Sequence, residues 1–312
     1  IRDRLHGGWC GRSGAFDDGG GGQRFARDSL DRLFSDEVAL LMATANGTPM
    51  ISLQHLYKAF AGKPVLRDMS IDVQRGESVV IVGGSGSGKS VTLKHIIGLL
   101  RPDQGRILID GQDIGGMTSM QLNRFRRMFG MSFQEGALFD SMSVFENIAF
   151  PLRRHTKMAE DEIRARVEEC LEMVHLPGVE NKRPSELSGG MRRRVGFARA
   201  ISLKPQILLF DEPTTGLDPV ISDVIAELIR EMDKTLNTTT VTITHDMKVA
   251  FKIADRVAML FGGKIIEEGT PEQFQRSSNP MVQQFIEGRA EGPLTQLEST
   301  DGGDPNARSF AD

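Results

Sequence analysis

The chain has 312 residues, enough for one large domain or two modest ones, and its core needs neither disulfides nor metal for stability. A net charge of −4 gives no basic surface for nucleic acid, so no nucleic-acid partner is expected. Its two cysteines, Cys10 and Cys170, are far apart and argue against a disulfide framework or a zinc site. Every apolar run falls short of the ~20 residues that span a bilayer, so we expect a soluble chain that reaches a membrane only through a partner.

The two ends of the chain differ in composition from its middle. Residues 1–49 are rich in Gly, Arg and Asp and show little apolar periodicity. We expect this segment to be disordered, or to be a non-native extension, because the chain does not open with Met. Residues 288–312 are polar, acidic and aperiodic, which predicts a mobile tail. The ordered domain is therefore expected over residues 50–287.

Between these ends, patterns typical of strands and helices alternate. Strands are predicted over residues 51–54, 71–73, 79–82, 106–110, 207–210, 241–244 and 257–260. Helices are predicted over residues 89–100 and 220–232, and a mainly helical segment over residues 135–195. The β-branched run at 79–82 is typical of a strand buried on both faces of a parallel sheet. Strands that alternate with helices predict an α/β fold with such a sheet.

A glycine-rich loop follows the strand predicted at 79–82 and opens the next helix. It consists of Gly83, Gly84, Ser85, Gly86, Ser87, Gly88, Lys89 and Ser90, and Val91 comes next in the helix. The pattern G-x-x-x-x-G-K-[ST] surrounds phosphate oxygens with backbone N–H groups and a helix N-terminus. Lys89 can reach the β- and γ-phosphates, and the Ser90 hydroxyl can hold Mg²⁺. The loop predicts a bound nucleotide without indicating which reaction follows.

Two carboxylates follow the apolar strand predicted at 207–210. Because ligands of parallel α/β sheets bind at the carboxyl ends of the strands, Asp211 and Glu212 are expected to face the nucleotide. Asp211 would orient Mg²⁺. Glu212 would act as the general base that polarises the attacking water.

A further segment, residues 187–191, lies between the two motifs and reads Leu-Ser-Gly-Gly-Met. It resembles the signature of ABC-type ATPases, and residues 51–275 resemble their nucleotide-binding domain. The remaining elements of that family follow in its order: Phe60 as the aromatic before the phosphate loop, Gln134 of the Q-loop, residues 216–218 of the D-loop, and the switch histidine His245. Six elements in order identify the chain as a member of this family.

The resemblance implies a fold and a set of roles. The fold is a RecA-like P-loop NTPase core with an antiparallel β subdomain and a helical subdomain inserted at about residues 135–195. ATP would be bound by Phe60, by the loop from Gly83 to Val91, and by Gln134. Ser90, Gln134 and Asp211 would hold Mg²⁺, and Glu212 and His245 would be catalytic. Ser188, Gly189, Gly190 and Asp218 would serve ATP bound by a second copy in a head-to-tail dimer.

The signature departs from the family pattern at its fifth residue. The usual Gln is Met191, and three arginines follow it. The sequence leaves open whether these arginines form a solvated helix face, contact carboxylates of the nucleotide site, or meet the opposing subunit.

A single phosphate loop and a single signature predict one ATPase module with a separate permease. The segment 134–153 and the Met191 signature are similar to the ATPase of Mla-type transporters. This similarity implies phospholipid or other hydrophobic cargo, MCE-domain and STAS-domain partners, and a place on the cytoplasmic face of the inner membrane. The alternatives are an ABC ATPase for another solute, such as an amino acid or a drug, and a non-transport ABC ATPase.

The resemblance to ABC-type ATPases further implies that the permease docks in a groove between the Q-loop and the helical subdomain. Its apolar floor would consist of Leu138, Phe139, Val144 and Phe145. The competing interpretation is that some of these side chains only pack the helical subdomain.

Overall fold

The computed structural model describes residues 47–134 and 136–295. The predictions for residues 1–46 and 296–312 lie outside the described residues. Within the described ranges, no helix is both long and apolar enough to cross a membrane.

Within the same ranges, ten strands form two sheets. They are β1 (Ile51–Phe60), β2 (Lys63–Val73), β3 (Ser78–Val82), β4 (Gln104–Ile109), β5 (Gln112–Asp113), β6 (Phe129–Ser132), β7 (Ile207–Asp211), β8 (Thr239–Thr244), β9 (Arg256–Phe261) and β10 (Lys264–Gly269). Each predicted strand overlaps one of them. The four-stranded sheet is antiparallel, in the order β2-β1-β4-β5.

The six-stranded sheet carries the strand ends at which the site is predicted. Its order is β10-β9-β3-β8-β7-β6, and all neighbours are parallel except β10 and β9. In β3, Val79 and Ile81 pack into a core cluster shared with the four-stranded sheet. Val80 and Val82 pack into a second cluster with the helices. This confirms that β3 is buried on both faces.

The described ranges also contain two 3₁₀ helices, at Arg126–Met128 and Pro184–Glu186, and nine α-helices. The α-helices are α1 (Lys89–Ile96), α2 (Ser119–Phe125), α3 (Val144–His155), α4 (Glu160–Met173), α5 (Gly189–Ile201), α6 (Pro219–Leu236), α7 (Met247–Ile253), α8 (Pro271–Gln275) and α9 (Pro280–Glu287). The helix predicted over residues 89–100 ends earlier, at Ile96. Gly98 adopts a left-handed φ of 70°, which terminates the helix.

The helical part lies in the chain between β6 and β7. A capping box begins α3: the Glu146 N–H donates to the Ser143 hydroxyl at 3.1 Å, and the Ser143 N–H donates to the Glu146 carboxylate at 2.7 Å. Helix α5, the last of this part, packs against β6, α3 and α4. The chain is thus an α/β protein with the antiparallel β part and the helical insertion that the sequence predicts.

The tail predicted to be mobile over residues 288–312 is described as far as Thr295. The buried Gln284 side chain accepts a hydrogen bond from the Leu294 N–H at 2.8 Å and donates to the Thr295 hydroxyl at 3.0 Å. Leu294 also packs against the core. Because a buried amide needs hydrogen-bond partners, residues 288–295 are held against α9, contrary to the prediction for this part of the tail.

Cys170 supplies a test of the packing in the helical part. Its thiol is fully buried, and burial raises its pKa to about 11. At pH 8 the thiolate fraction is then roughly 100-fold below that of an ordinary cysteine, so we expect iodoacetamide to modify native Cys170 at least that much more slowly than unfolded Cys170. Peptide mass mapping separates Cys170 from Cys10. Equal rates in native and denatured protein would contradict this packing.

Candidate nucleotide-binding site

The phosphate loop connects β3 to α1, as the motif requires. At Gly83, where φ is 158°, an added Cβ would lie 2.4 Å from the Leu260 carbonyl oxygen. At Gly88, which caps α1 with φ of 105°, an added Cβ would lie 3.0 Å from the Leu66 side chain. Both positions favour glycine, because other residues would combine backbone strain with a close contact. The loop therefore curls tightly at the start of α1.

Lys89 lies inside this curl and is only 7% exposed. Its Nζ donates to the carbonyl oxygens of Gly83 and Gly84, each at 2.9 Å. It also lies 3.7 Å from Glu212 Oε1. Burial lowers the pKa of Lys89, and the neighbouring Glu212 carboxylate opposes that shift. The Lys89 ammonium thus lies where the motif binds phosphate.

Two hydroxyls beside Lys89 differ in their partners. The Ser90 hydroxyl donates to Asp211 Oδ1 at 3.2 Å, which joins α1 to the end of β7. Burial raises the pKa of Asp211, and the Ser90 hydrogen bond opposes the shift. The Ser87 Oγ is buried and has no hydrogen-bond partner among the described residues. An orphaned buried hydroxyl fits a loop that receives an anion.

The two predicted catalytic residues are in direct contact. Glu212 adopts φ of 49°, which is uncommon for a residue with a side chain. Its Oε2 lies 2.8 Å from His245 Nδ1 and accepts a hydrogen bond from the Thr215 hydroxyl at 3.0 Å. The contact follows from topology, because β7 and β8 are parallel neighbours and both residues follow their carboxyl ends. Thr215 was not predicted, and its spacing of three residues from Glu212 is the only sequence feature that could have suggested it.

The signature begins α5. The Ser188 hydroxyl accepts a hydrogen bond from the Met191 N–H at 3.3 Å and so caps the helix. Gly189 has room for a side chain, since an added Cβ would lie 3.6 Å from Leu217. Gly190 has no such room, because an added Cβ would lie 2.9 Å from the Ile221 side chain. Packing therefore requires glycine at 190 but not at 189.

Asp218, which the sequence predicts to serve the ATP of a second copy, caps a helix in the structure. Its carboxylate accepts hydrogen bonds from the N–H groups of Val220 and Ile221, each at 3.0 Å, and caps α6. The D-loop thus ends in a fixed helix cap.

The arginines after the signature do not form a plain solvated face. Arg193 is buried and donates to the carbonyl oxygens of Gln134, at 2.8 Å, and Thr215. Arg194 donates to the carbonyl oxygen of His175 at 3.2 Å. The backbone of Gln134 is therefore attached to α5, while its residue as a whole remains exposed.

Phe60 and Val91 lie at the edges of the site. Phe60 ends β1 and is 42% exposed, and the Lys58 ammonium lies 5.6 Å from its ring centroid. Val91 is partly buried against the core cluster shared by the two sheets. An exposed aromatic ring at a strand end is available for stacking.

The expected permease groove differs from its prediction. Phe139 and Phe150 are 43% and 44% exposed, with ring centroids 5.2 Å apart. Val144 is fully buried, and Leu138 and Phe145 are partly buried against the core. Val144 was wrongly assigned, because the first turn of α3 directs it inward. Phe150 was missed, because the α3 sequence alone does not show which face is exposed.

The sheet topology, the curled loop around Lys89 and the paired carboxylates define a P-loop nucleoside triphosphatase. The ABC transporter family profile matches residues 66–215. The chain is 45% identical over 251 residues to the probable ribonucleotide transport ATP-binding protein mkl of Mycobacterium leprae, covering 80% of this chain and 72% of that protein. It is 42% identical over 245 residues to the intermembrane phospholipid transport system ATP-binding protein MlaF of Haemophilus influenzae, covering 78% and 93%.

Among solved structures, the dimeric structure of a bacterial ABC transporter cassette is similar, with a TM-score of 0.66 and 33% identity over 71% of this chain and 99% of that one. The chain therefore belongs to the ABC transporter ATP-binding family. It is an ATP-binding transporter subunit that hydrolyses ATP, and both its family and its fold class are those that the sequence predicts.

Proposed function

We propose that this chain uses ATP hydrolysis to drive transport of phospholipids or other hydrophobic compounds through a separate membrane permease. The observation that carries the hydrolytic role is the contact between Glu212 and His245 beside Lys89, at the carboxyl ends of β7 and β8. The cargo rests on the similarity to MlaF, which extends over 93% of that relative.

ATP would lie along the phosphate loop, from Gly83 to Val91. Phe60 would stack on the adenine ring. Lys89 would exchange the loop carbonyls that it now contacts for β- and γ-phosphate oxygens, and the orphaned Ser87 hydroxyl would gain a phosphate partner. Because both groups are already buried, they bind phosphate at little further desolvation cost.

Mg²⁺ would be held by Ser90, Asp211 and Gln134. Hydroxyl, carboxylate and amide oxygens are the donors that Mg²⁺ prefers, with the remaining ligands from phosphate and water. The residues described include no group of three or more His, Cys, Asp or Glu that could hold a metal. A site with so few protein carboxylates fits an ion that arrives with the nucleotide. When bound, Mg²⁺ would neutralise charge on the phosphates.

Glu212 would accept the proton of the attacking water as the γ-phosphate is released. Its Oε2 is fixed by His245 and Thr215, and its Oε1 faces Lys89. His245 holds Glu212 with Nδ1 and would turn Nε2 toward the attacking water and the γ-phosphate. The products would be ADP and phosphate.

The signature would complete the site of a second copy. Ser188, Gly189 and Gly190 begin a 13-residue helix whose N-terminal N–H groups and dipole favour an anion. In a head-to-tail dimer they would face the γ-phosphate bound by the partner, with Asp218 close to the same boundary. The similar solved cassette is dimeric.

The exposed pair Phe139 and Phe150 would receive an apolar helix of the permease. The buried Asn147 fixes this surface by donating to the Phe139 carbonyl oxygen at 3.1 Å and accepting from the Phe139 N–H at 2.8 Å. The chain would then lie peripherally on the cytoplasmic face of the inner membrane.

We expect Phe139→Asp to abolish copurification with the permease while ATP binding and thermal stability stay near wild type. A carboxylate desolvated in an apolar groove costs a few kcal/mol of interface energy. Met120→Asp is the matched control, because Met120 is an apolar residue on α2 that is more exposed than Phe139, at 72% against 43%. Pull-down of a tagged chain measures the outcome, and full complex assembly by the Phe139 variant would refute this docking surface.

A second cargo is suggested by the relative named for ribonucleotide transport, at 45% identity. To separate the two, we would purify the chain with its permease and measure ATPase stimulation by phospholipid vesicles and by ribonucleotides, together with bound lipid by mass spectrometry. Phospholipid stimulation, with copurified MCE-domain and STAS-domain proteins, supports the proposal. Ribonucleotide stimulation without bound lipid would contradict it, and copurified nucleic acid would favour a non-transport role.

A further inference from the structure

A single guanidinium connects two loops of the nucleotide site. Arg193, in the second turn of α5, is 7% exposed. Its Nε donates to the carbonyl oxygen of Gln134 at 2.8 Å, and its Nη2 donates to the carbonyl oxygen of Thr215. The Thr215 hydroxyl in turn donates to Glu212 Oε2 at 3.0 Å. Arg193 is therefore bonded directly to the backbone of Gln134 and, through one residue, to the proposed general base.

The loop after Gln134 is attached to the same helix at two further points. Arg199 donates to the carbonyl oxygens of Gly136, at 2.8 Å, and Ala137, at 2.9 Å. Gly196 lies so close to Gly136 that an added Cβ would be 2.9 Å from the Gly136 Cα. Since α5 begins at the signature, a displacement of the signature helix must carry this loop with it.

We infer that Arg193 is a positioning residue that makes the placement of Gln134 and of the Glu212 carboxylate depend on the signature helix. The inference rests on the roles proposed above for those two residues. A planar guanidinium donates in two fixed directions at once, which suits two carbonyls on different loops. A Lys ammonium keeps the charge but is a point donor on a flexible stem, so it cannot reproduce both bonds.

The test compares Arg193→Lys with Arg194→Lys in the full chain. Arg194 is the next residue of α5 and donates to His175, away from Gln134 and Thr215. For Arg193→Lys we expect kcat to fall roughly 10- to 100-fold, the loss that a displacement of about 1 Å at a reacting site causes. KM and the ATP affinity of the monomer should stay near wild type, because the loss falls on the chemical step. The melting temperature should fall by only a few degrees, since one buried carbonyl loses its hydrogen bond. Arg194→Lys should retain wild-type kcat.

An unchanged kcat in Arg193→Lys would overturn the inference, and so would a loss of kcat that Arg194→Lys shares. A loss of kcat accompanied by weaker ATP binding and by a much larger fall in melting temperature would also overturn it, because a purely structural role predicts that pattern.

A double-mutant cycle tests the route through Thr215. Thr215→Val removes the hydroxyl that holds Glu212 and keeps the side-chain shape. If Arg193 acts through Thr215, the double variant loses little more kcat than the more damaged single variant, whereas multiplied losses would contradict the route. Glu212→Gln, assayed alongside, separates the two proposals. Wild-type turnover in that variant refutes the general base, while its inactivity beside an active Arg193→Lys refutes only the positioning role.

Discussion

Replacement of Glu212 by Gln is expected to lower ATP turnover by roughly 10²–10⁴-fold, the usual cost of removing a general base, while ATP stays bound. The amide oxygen can still accept from His245 Nδ1 and the Thr215 hydroxyl, so the loop geometry is kept. The amide cannot take the proton of the attacking water. An ATP-bound dimer should therefore accumulate, which gel filtration in ATP can detect beside a phosphate-release assay.

Two variants make this expectation specific. Glu231→Gln is the matched control, because Glu231 is a half-exposed carboxylate paired with His175, and this variant should hydrolyse ATP normally. Lys89→Ala should instead weaken ATP binding itself, since it removes the cation enclosed by the phosphate loop. Hydrolysis at the wild-type rate by Glu212→Gln would show that another group is the base.

Features that depend on one short segment were predictable from the sequence. The phosphate loop has a motif whose strand and helix context can be read directly, and the structure has Lys89 enclosed by it. The positions of Asp211 and Glu212 followed from one further rule, that ligands meet the carboxyl ends of parallel strands. The contact between Glu212 and His245 needed only the adjacency of β7 and β8.

Features that depend on contacts between distant segments were not predictable. The bonds of Arg193 join residues separated by 59 and 22 positions, and they arise from how α5 crosses two loops. The rotation of α3 decides that Val144 is buried and Phe150 exposed, and its apolar residues occur on both faces. Local periodicity gives the existence of a helix more reliably than the orientation of its faces when the helix is apolar on two sides.

Substitution of Gly189 by Asp is expected to abolish hydrolysis without unfolding the chain. An added Cβ meets only an ordinary contact at 3.6 Å with Leu217, and a carboxylate in the first turn of α5 is favoured by the helix dipole. In the proposed dimer the new charge would face the γ-phosphate of the partner. ATP binding by the monomer should stay near normal, while ATP-dependent dimerisation is lost. Gly189→Ala, which adds no charge, is the matched control and should retain dimerisation.

Mixing two inactive variants tests the composite site directly. In a head-to-tail dimer of Gly189→Asp with Lys89→Ala, one site combines both defects, whereas the other combines an intact phosphate loop with an intact signature. The mixture should therefore regain hydrolysis that neither variant shows alone, rising with the concentration of mixed dimer. If the signature instead served its own subunit's nucleotide, each chain would carry one defective site. The mixture would then stay inactive, and the Gly189→Asp monomer would bind ATP weakly.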